Sequence, residues 1–194
     1  MSGAVDRLSR LGHNGPMKTL LLLFLISGIC GLAAGAGPED KPLETVPSVD
    51  LQKYLGKWYE IAAFPQRFQK GCHCTVAEYS LEKDFVRVIN TCRLDSPDGK
   101  VKSAKGKAFV VKGSNNAKLR VQFFWPFRGD YWIIDLAEDY SYAVVGAPNR
   151  NYLWILCRTP QMEEGLYQQI IQRCADKGFD INKLVKTDQT CADS

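Results

Sequence analysis

Histidine is almost missing from this 194-residue chain, which has only His13 and His73. A lone imidazole in the body of the protein cannot build the multi-histidine sets that hold catalytic zinc. Cys72-His73-Cys74 therefore reads as a disulfide segment, and no metal or cofactor site is expected. Also missing are a His-Glu-x-x-His pair, a Gly-x-Ser-x-Gly nucleophile turn and a glycine loop that could cradle phosphate. Ser-His-Asp chemistry would have to run through His73. The chain is accordingly read as a non-enzyme with no catalytic residues. Charge of one sign is lacking too: 25 basic and 21 acidic side chains leave a net +4. That balance gives no footprint for a nucleic acid.

Long apolar runs are absent with one exception, Thr19 to Ala34. It follows Lys18 and ends in Ala34-Gly35-Ala36, the layout of a cleaved signal peptide. Residues 1–36 are thus read as leader, with sixteen polar residues ahead of Met17 that a start at Met17 would remove. Residues 37–48 form a Pro-rich, extended lead-in. The expected location is secreted or otherwise extracytoplasmic. The alternatives are a lipid anchor to an outer membrane through Cys30, or a plastid lumen. Without Cys30 an even set of six cysteines remains: Cys72, Cys74, Cys92, Cys157, Cys174 and Cys191. An even count in an exported chain indicates disulfides.

What is plentiful is short β-prone segments. Gly56-Lys57-Trp58 opens the first, since glycine allows a sharp bend just before a strand. Apolar runs then recur between turn residues. The strands are read as Trp58–Ala63, Cys74–Leu81, Phe85–Cys92, Ser103–Val111, Lys118–Phe124, Tyr131–Leu136, Tyr140–Val145 and Tyr152–Arg158. Such short links make consecutive strands antiparallel neighbours. Eight strands suit a small closed barrel with room for one ligand, or a two-sheet sandwich. After Arg158 the period becomes helical. Thr159-Pro160 reads as a helix start, Leu166, Tyr167, Ile170, Ile171 and Cys174 as its apolar face, and Gly178 as its end.

In an up-and-down meander the start of the first strand, the Asp139-Tyr140 turn and the end of the last strand share one end. Gly56, Trp58, Asp139, Tyr140 and Arg158 meet there, where a guanidinium can lie on an indole face. Three stretches together resemble the lipocalin signature: Gly56-Lys57-Trp58-Tyr59-Glu60-Ile61, Glu138-Asp139-Tyr140-Ser141-Tyr142-Ala143, and Leu153-Trp154-Ile155-Leu156-Cys157-Arg158-Thr159-Pro160. The resemblance runs from about Val49 to Cys191 and is strongest to the apolipoprotein D and bacterial outer-membrane groups. Cys72-His73-Cys74 with Cys92 also resembles the plastid members.

The resemblance implies an all-β, eight-stranded antiparallel barrel over residues 49–191 with one C-terminal α-helix packed outside. It implies a carrier of a small hydrophobic ligand such as a fatty acid, phospholipid or sterol; separately, a monomer is expected. The alternative is an enzyme of this family acting on a carotenoid or prostanoid-like lipid. It further implies a Cys74–Cys191 bridge. Cys72–Cys92, both near the open rim, is the expected second pair, and Cys157–Cys174 is left by elimination.

Alternation from Trp58 and Arg158 turns Tyr152, Trp154 and Leu156 inward and Leu153, Ile155 and Cys157 outward. The resemblance places Tyr79 and Asn90 inside. Phe123, with Leu119, Val121 and Trp125, forms one face of its strand; Trp132, with Ile134 and Leu136, forms one face of the next. Tyr79, Asn90, Phe123, Trp132 and Trp154 are the expected ligand contacts. The mouth loops carry Arg67, Lys70, Arg93, Lys100, Lys102, Arg128 and Arg150 among Phe64, Phe68 and Phe127. This suggests a cationic, aromatic entrance, with Arg67 and Arg128 reading an anionic head group. The same loops are expected to make peripheral contact with membranes.

Overall fold

The computed structural model describes residues 41–191. The leader and Cys30 lie outside the described residues.

The Asp50 carboxylate accepts from the Gln52 and Lys53 amides and starts the single turn α1 (Leu51–Tyr54). Gly56, at φ +88°, then bends the chain into β1 (Gly56–Ala63). The strands that follow are β2 (Cys72–Leu81), β3 (Val86–Leu94), β4 (Val101–Val110), β5 (Lys118–Gln122), β6 (Gly129–Leu136), β7 (Tyr142–Gly146) and β8 (Leu153–Cys157). Each pairs antiparallel with the next, β8 pairs with β1, and β1 returns to β2. The sheet is therefore a closed eight-stranded barrel.

A further strand, β9 (Val185–Lys186), pairs with Ala63 and Ala62 of β1. Two residues are too short to carry a readable alternation. The helix α2 (Glu164–Asp176) begins later than Thr159-Pro160 because Glu163 is its cap. The two Glu163 oxygens accept from the Gly165 and Leu166 amides at 2.9 and 2.7 Å.

Two apolar cores lie on either side of the barrel wall. Outside, Tyr167, Ile170 and Cys174 of α2 cover Leu153, Ile155 and Cys157 of β8. Inside, Trp58, Tyr79, Val88, Leu119, Ile133 and Leu156 fill the barrel towards one end. Arg173 ties the helix to the wall through Asp135, at 2.7 Å, and the Tyr142 hydroxyl, at 3.0 Å.

Three expectations need correction. On β6 the inward residues are Tyr131 and Ile133; Trp132 and Ile134 face outward, and Trp132 lies under the Lys118 ammonium at 3.9 Å. A register shift between Ile133 and Asp135 breaks the simple alternation of this strand. β5 ends at Gln122, so Trp125 leaves the wall and is 86% exposed. Cys157 and Cys174 are both free and buried. The Cys157 sulfur instead sits 3.3 Å from the Thr159 hydroxyl, while Cys174 is packed into the outer core.

Candidate ligand cavity

One end of the barrel is sealed by the signature residues. Trp58 is fully buried, and its indole N–H donates to the Tyr54 carbonyl at 2.8 Å. The Arg158 guanidinium lies 3.7 Å from the Trp58 ring centre and donates to the Lys57, Lys53 and Tyr140 carbonyls. These carbonyls come from two stretches of the chain, the α1–β1 entry and the turn before β7, and one planar cation joins them. Tyr140 takes a positive φ of 62°, and its hydroxyl accepts from the Asp50 amide. Asp139 holds that turn by accepting from the Ser141 amide at 2.9 Å.

Above the plug sits a trio of phenols. The Tyr131 hydroxyl lies 2.8 Å from those of both Tyr54 and Tyr79. Burial raises all three phenol pKa values, that of Tyr79 to about 12. The trio is thus neutral, and its hydroxyls partner one another.

A cavity of about 560 Å³ opens from this trio to the other end. Its walls include Ala77, Val88, Val121, Phe123, Trp154 and Leu156. Tyr79 and Asn90 line it as well. A mostly apolar, concave space of this size with a few polar atoms is the usual form of a small-molecule site. The Trp154 N–H donates to Gln69 Oε1 at 3.2 Å, and Gln69 Nε2 donates to Glu60 Oε2 at 2.6 Å. Glu60 Oε1 accepts from the Thr187 hydroxyl at 2.7 Å. Burial raises the Glu60 pKa, against the lowering effect of these two bonds.

Of the expected contacts, Tyr79, Asn90, Phe123, Trp154 and Arg128 line this cavity, whereas Trp132 and Arg67 do not. Arg67 starts a single 3-10 turn, Arg67–Gln69, and lines an outer cleft of about 530 Å³ with Lys70, His73 and Lys186. That turn directs Phe68 and Gln69 to the cavity and Arg67 away from it. The cationic entrance is mostly dismantled. Arg150 donates to the Pro148 and Lys177 carbonyls, Lys102 to the Phe68 carbonyl and Arg93 to the Gly99 carbonyl. Among the seven basic loop residues, Arg128 alone lines the cavity, and Asp130 lines it too. What dominates the mouth is aromatic: Phe124, Trp125, Phe127 and Phe68 are 79, 86, 77 and 59% exposed.

Glu60, Thr75, Gln69 and Tyr131 are site residues that the sequence reading passed over. The parity that turns Trp58 inward also turns Glu60 inward, so that one was legible. Tyr131 was not, because nothing anchored the parity of β6.

Bridges join Cys72 to Cys92 and Cys74 to Cys191. The first ties β2 to β3 at the mouth; the second ties the tail to β2. Neither free thiol, Cys157 or Cys174, lines the cavity.

Comparison with known proteins gives a consistent answer. A family model described as a lipocalin-like domain matches residues 49–189. The chain is 40% identical over 161 residues to temperature-induced lipocalin-1 of Arabidopsis thaliana, covering 78% of this chain and 86% of that protein. It is 38% identical over 178 residues to the outer membrane lipoprotein Blc of Vibrio cholerae, covering 89% and 99%. It is 36% identical over 190 residues to apolipoprotein D of Mus musculus, covering 89% and 97%. Among solved structures, insecticyanin from the tobacco hornworm Manduca sexta aligns with a TM-score of 0.62 at 19% identity, over 76% of this chain and 85% of that one. That last likeness concerns the fold alone.

Proposed function

Because the chain belongs to the lipocalin family, we propose that it binds a small hydrophobic ligand, a lipid or fatty acid, inside the barrel and carries it outside the cytoplasm. The observation that carries this reading is the apolar cavity of about 560 Å³, sealed at the Trp58 end and open at the other. Two disulfides support an oxidising compartment. Catalysis finds no support in the cysteines, since both free thiols lie in the outer core.

The carrier meets lipid surfaces with its open end. Phe124, Trp125 and Phe127 project from one loop beside the cavity entrance, with Phe68 also exposed. Exposed apolar groups gathered in this way mark an interaction site, and tryptophan favours the interface between membrane and water. A selective hold on anionic head groups has little support, because Arg128 alone among the seven basic loop residues lines the cavity, and its guanidinium lies over the Phe109 ring at 4.2 Å.

Trp154 supplies the test. Titrating a long-chain fatty acid or lipid should change its fluorescence saturably, and Trp154→Phe should remove most of the change. No saturable response to any lipid would overturn the carrier reading. For the mouth, vesicle flotation should retain the wild-type chain and lose a Phe124→Ser, Trp125→Ser, Phe127→Ser variant.

A further inference from the structure

The barrel closes unevenly between β4 and β5. β4 pairs with β3 from Val101 to Ala108, but with β5 only from Lys107 to Val110. β5 ends at Gln122, where the chain turns away into the aromatic loop. The Phe123 ring marks the parting: a Cβ added at Gly106 would stand 2.9 Å from it. Towards the mouth β4 runs on with no second strand beside it among the described residues, and Val101 to Lys105 are all exposed.

The hydrogen bonds fix which groups this edge presents. Leu94 N–H donates to the Lys100 carbonyl, and Val111 N–H to the Lys118 carbonyl. In antiparallel ladders successive residues bond alternately to one neighbour and to the other. The even-numbered residues of β4 therefore bond to β3, and the odd-numbered ones face the β5 side. Lys107 and Phe109 meet β5 there. Val101, Ser103 and Lys105 do not, and among the described residues nothing bonds to their N–H or C=O groups on that side. Their side chains point outward, because the even-numbered Ala104 and Gly106 stand opposite Asn90 and Val88, which line the cavity.

The edge is also cationic. β4 carries Lys102, Lys105 and Lys107 and no acid; β3 beside it carries Arg87 and Arg93 and no acid. Among the described residues only Arg87 of these meets a carboxylate, that of Glu82. Lys107 lies over the Phe85 ring at 4.7 Å, and Lys102 donates to the Phe68 carbonyl. A bare edge is a template for another strand. Lysines along it repel a second copy of the same edge and attract an acidic one.

We propose that the free edge of β4 binds an extended, acidic segment of a partner protein by strand addition. The added strand runs antiparallel to β4. Its residues opposite Val101, Ser103 and Lys105 exchange backbone hydrogen bonds and carry carboxylates, which lie beside Lys105 and Lys107 on the outer face. The residues between them turn towards the mouth and its aromatic loop, and are apolar. This inference does not depend on what the cavity carries.

The test uses the peptide Glu-Val-Glu-Val-Glu-Val-Glu, blocked at both ends and labelled for fluorescence anisotropy, with the disulfide-bonded chain at about 0.15 M salt. Binding should be saturable. It should slow exchange of the Val101, Ser103 and Lys105 amides and leave those of Lys102 and Ala104, which β3 already protects, unchanged. Methylating the Glu backbone nitrogens removes the donors that face β4 and should weaken binding about tenfold or more. Methylating the Val nitrogens, which face away, should leave it unchanged. A Lys-Val peptide should not bind wild type, and Lys105→Glu with Lys107→Glu should invert that preference. Ser103→Pro deletes an edge N–H that β3 does not use, so it should abolish peptide binding while the urea midpoint stays near wild type. Equal binding of the two methylated peptides would mean attraction by charge alone and overturn the proposal. So would no binding, or protection only at amides away from Val101–Lys105. A dimer of the free chain that protects these same amides would give the edge to a second copy, and would overturn it too.

Discussion

Trp58 and Arg158 show how one residue pair can set the geometry of a whole end of the barrel. The indole is buried on every side, and the cation above it draws three carbonyls together. Truncating so large a core ring costs roughly 3–5 kcal/mol. Trp58→Ala should therefore lower the urea midpoint steeply, with Arg158→Ala showing a smaller loss in the same direction. A Trp58→Ala variant that unfolds like wild type but binds no lipid would mean that the ring belongs to the site and not to the plug. Glu60 behaves differently, because its pKa is raised by burial in the folded state. An acid of this kind holds its proton more tightly when folded. Its contribution is full below the unfolded pKa and is lost as pH rises through the raised folded one. The wild-type chain should lose stability relative to Glu60→Gln as pH climbs out of the ordinary carboxylate range. Urea unfolding at a series of pH values measures this, and parallel curves for the two proteins would refute it.

Among the elements, the strands anchored by a motif were legible and the others were not. Trp58 and Arg158 fix the parity of β1 and β8, and Leu153, Ile155 and Cys157 do turn outward to the helix. On β6 apolar residues occupy both faces, so alternation alone cannot choose between Tyr131 and Trp132, and the shift at Ile133–Asp135 removes even a consistent period. The helix start at Glu163 was missed because a capping carboxylate at that position looks like any charged residue before a helix. β9 was missed for another reason. Its place is set by contacts with β1 and by the Cys74–Cys191 bridge, not by its own sequence. The bridge closes a separation of 117 residues, for which chain entropy gives a contribution on the order of 4 kcal/mol. Cys191→Ser should lower stability by an amount of that order in urea titrations. A loss of only a few tenths would show that the tail is held by its hydrogen bonds alone.

At the scale of the molecule, the barrel, its direction and its outer helix follow from strand count, short turns and three motifs. The cavity wall does not, because which side chains meet there depends on neighbours from strands far apart in the chain. One feature of the closure has a mechanical consequence. β1 and β2 pair only from Gly56 to Tyr59, opposite Tyr79 to Val76. Nearer the mouth the tail lies over that junction instead: Thr187 N–H donates to the Ile61 carbonyl, and Cys74 N–H to the Asp188 carbonyl. The cylinder is thus zipped along the lower part of its seam and laced along the upper part. Hydrogen exchange should show the Thr187 and Cys74 amides releasing their protons well before those of the lower β1–β2 ladder, and Cys191→Ser should hasten the former selectively. Uniform exchange along the seam would contradict this. Once that lacing is loosened, only the zipped half still fixes the girth of the barrel.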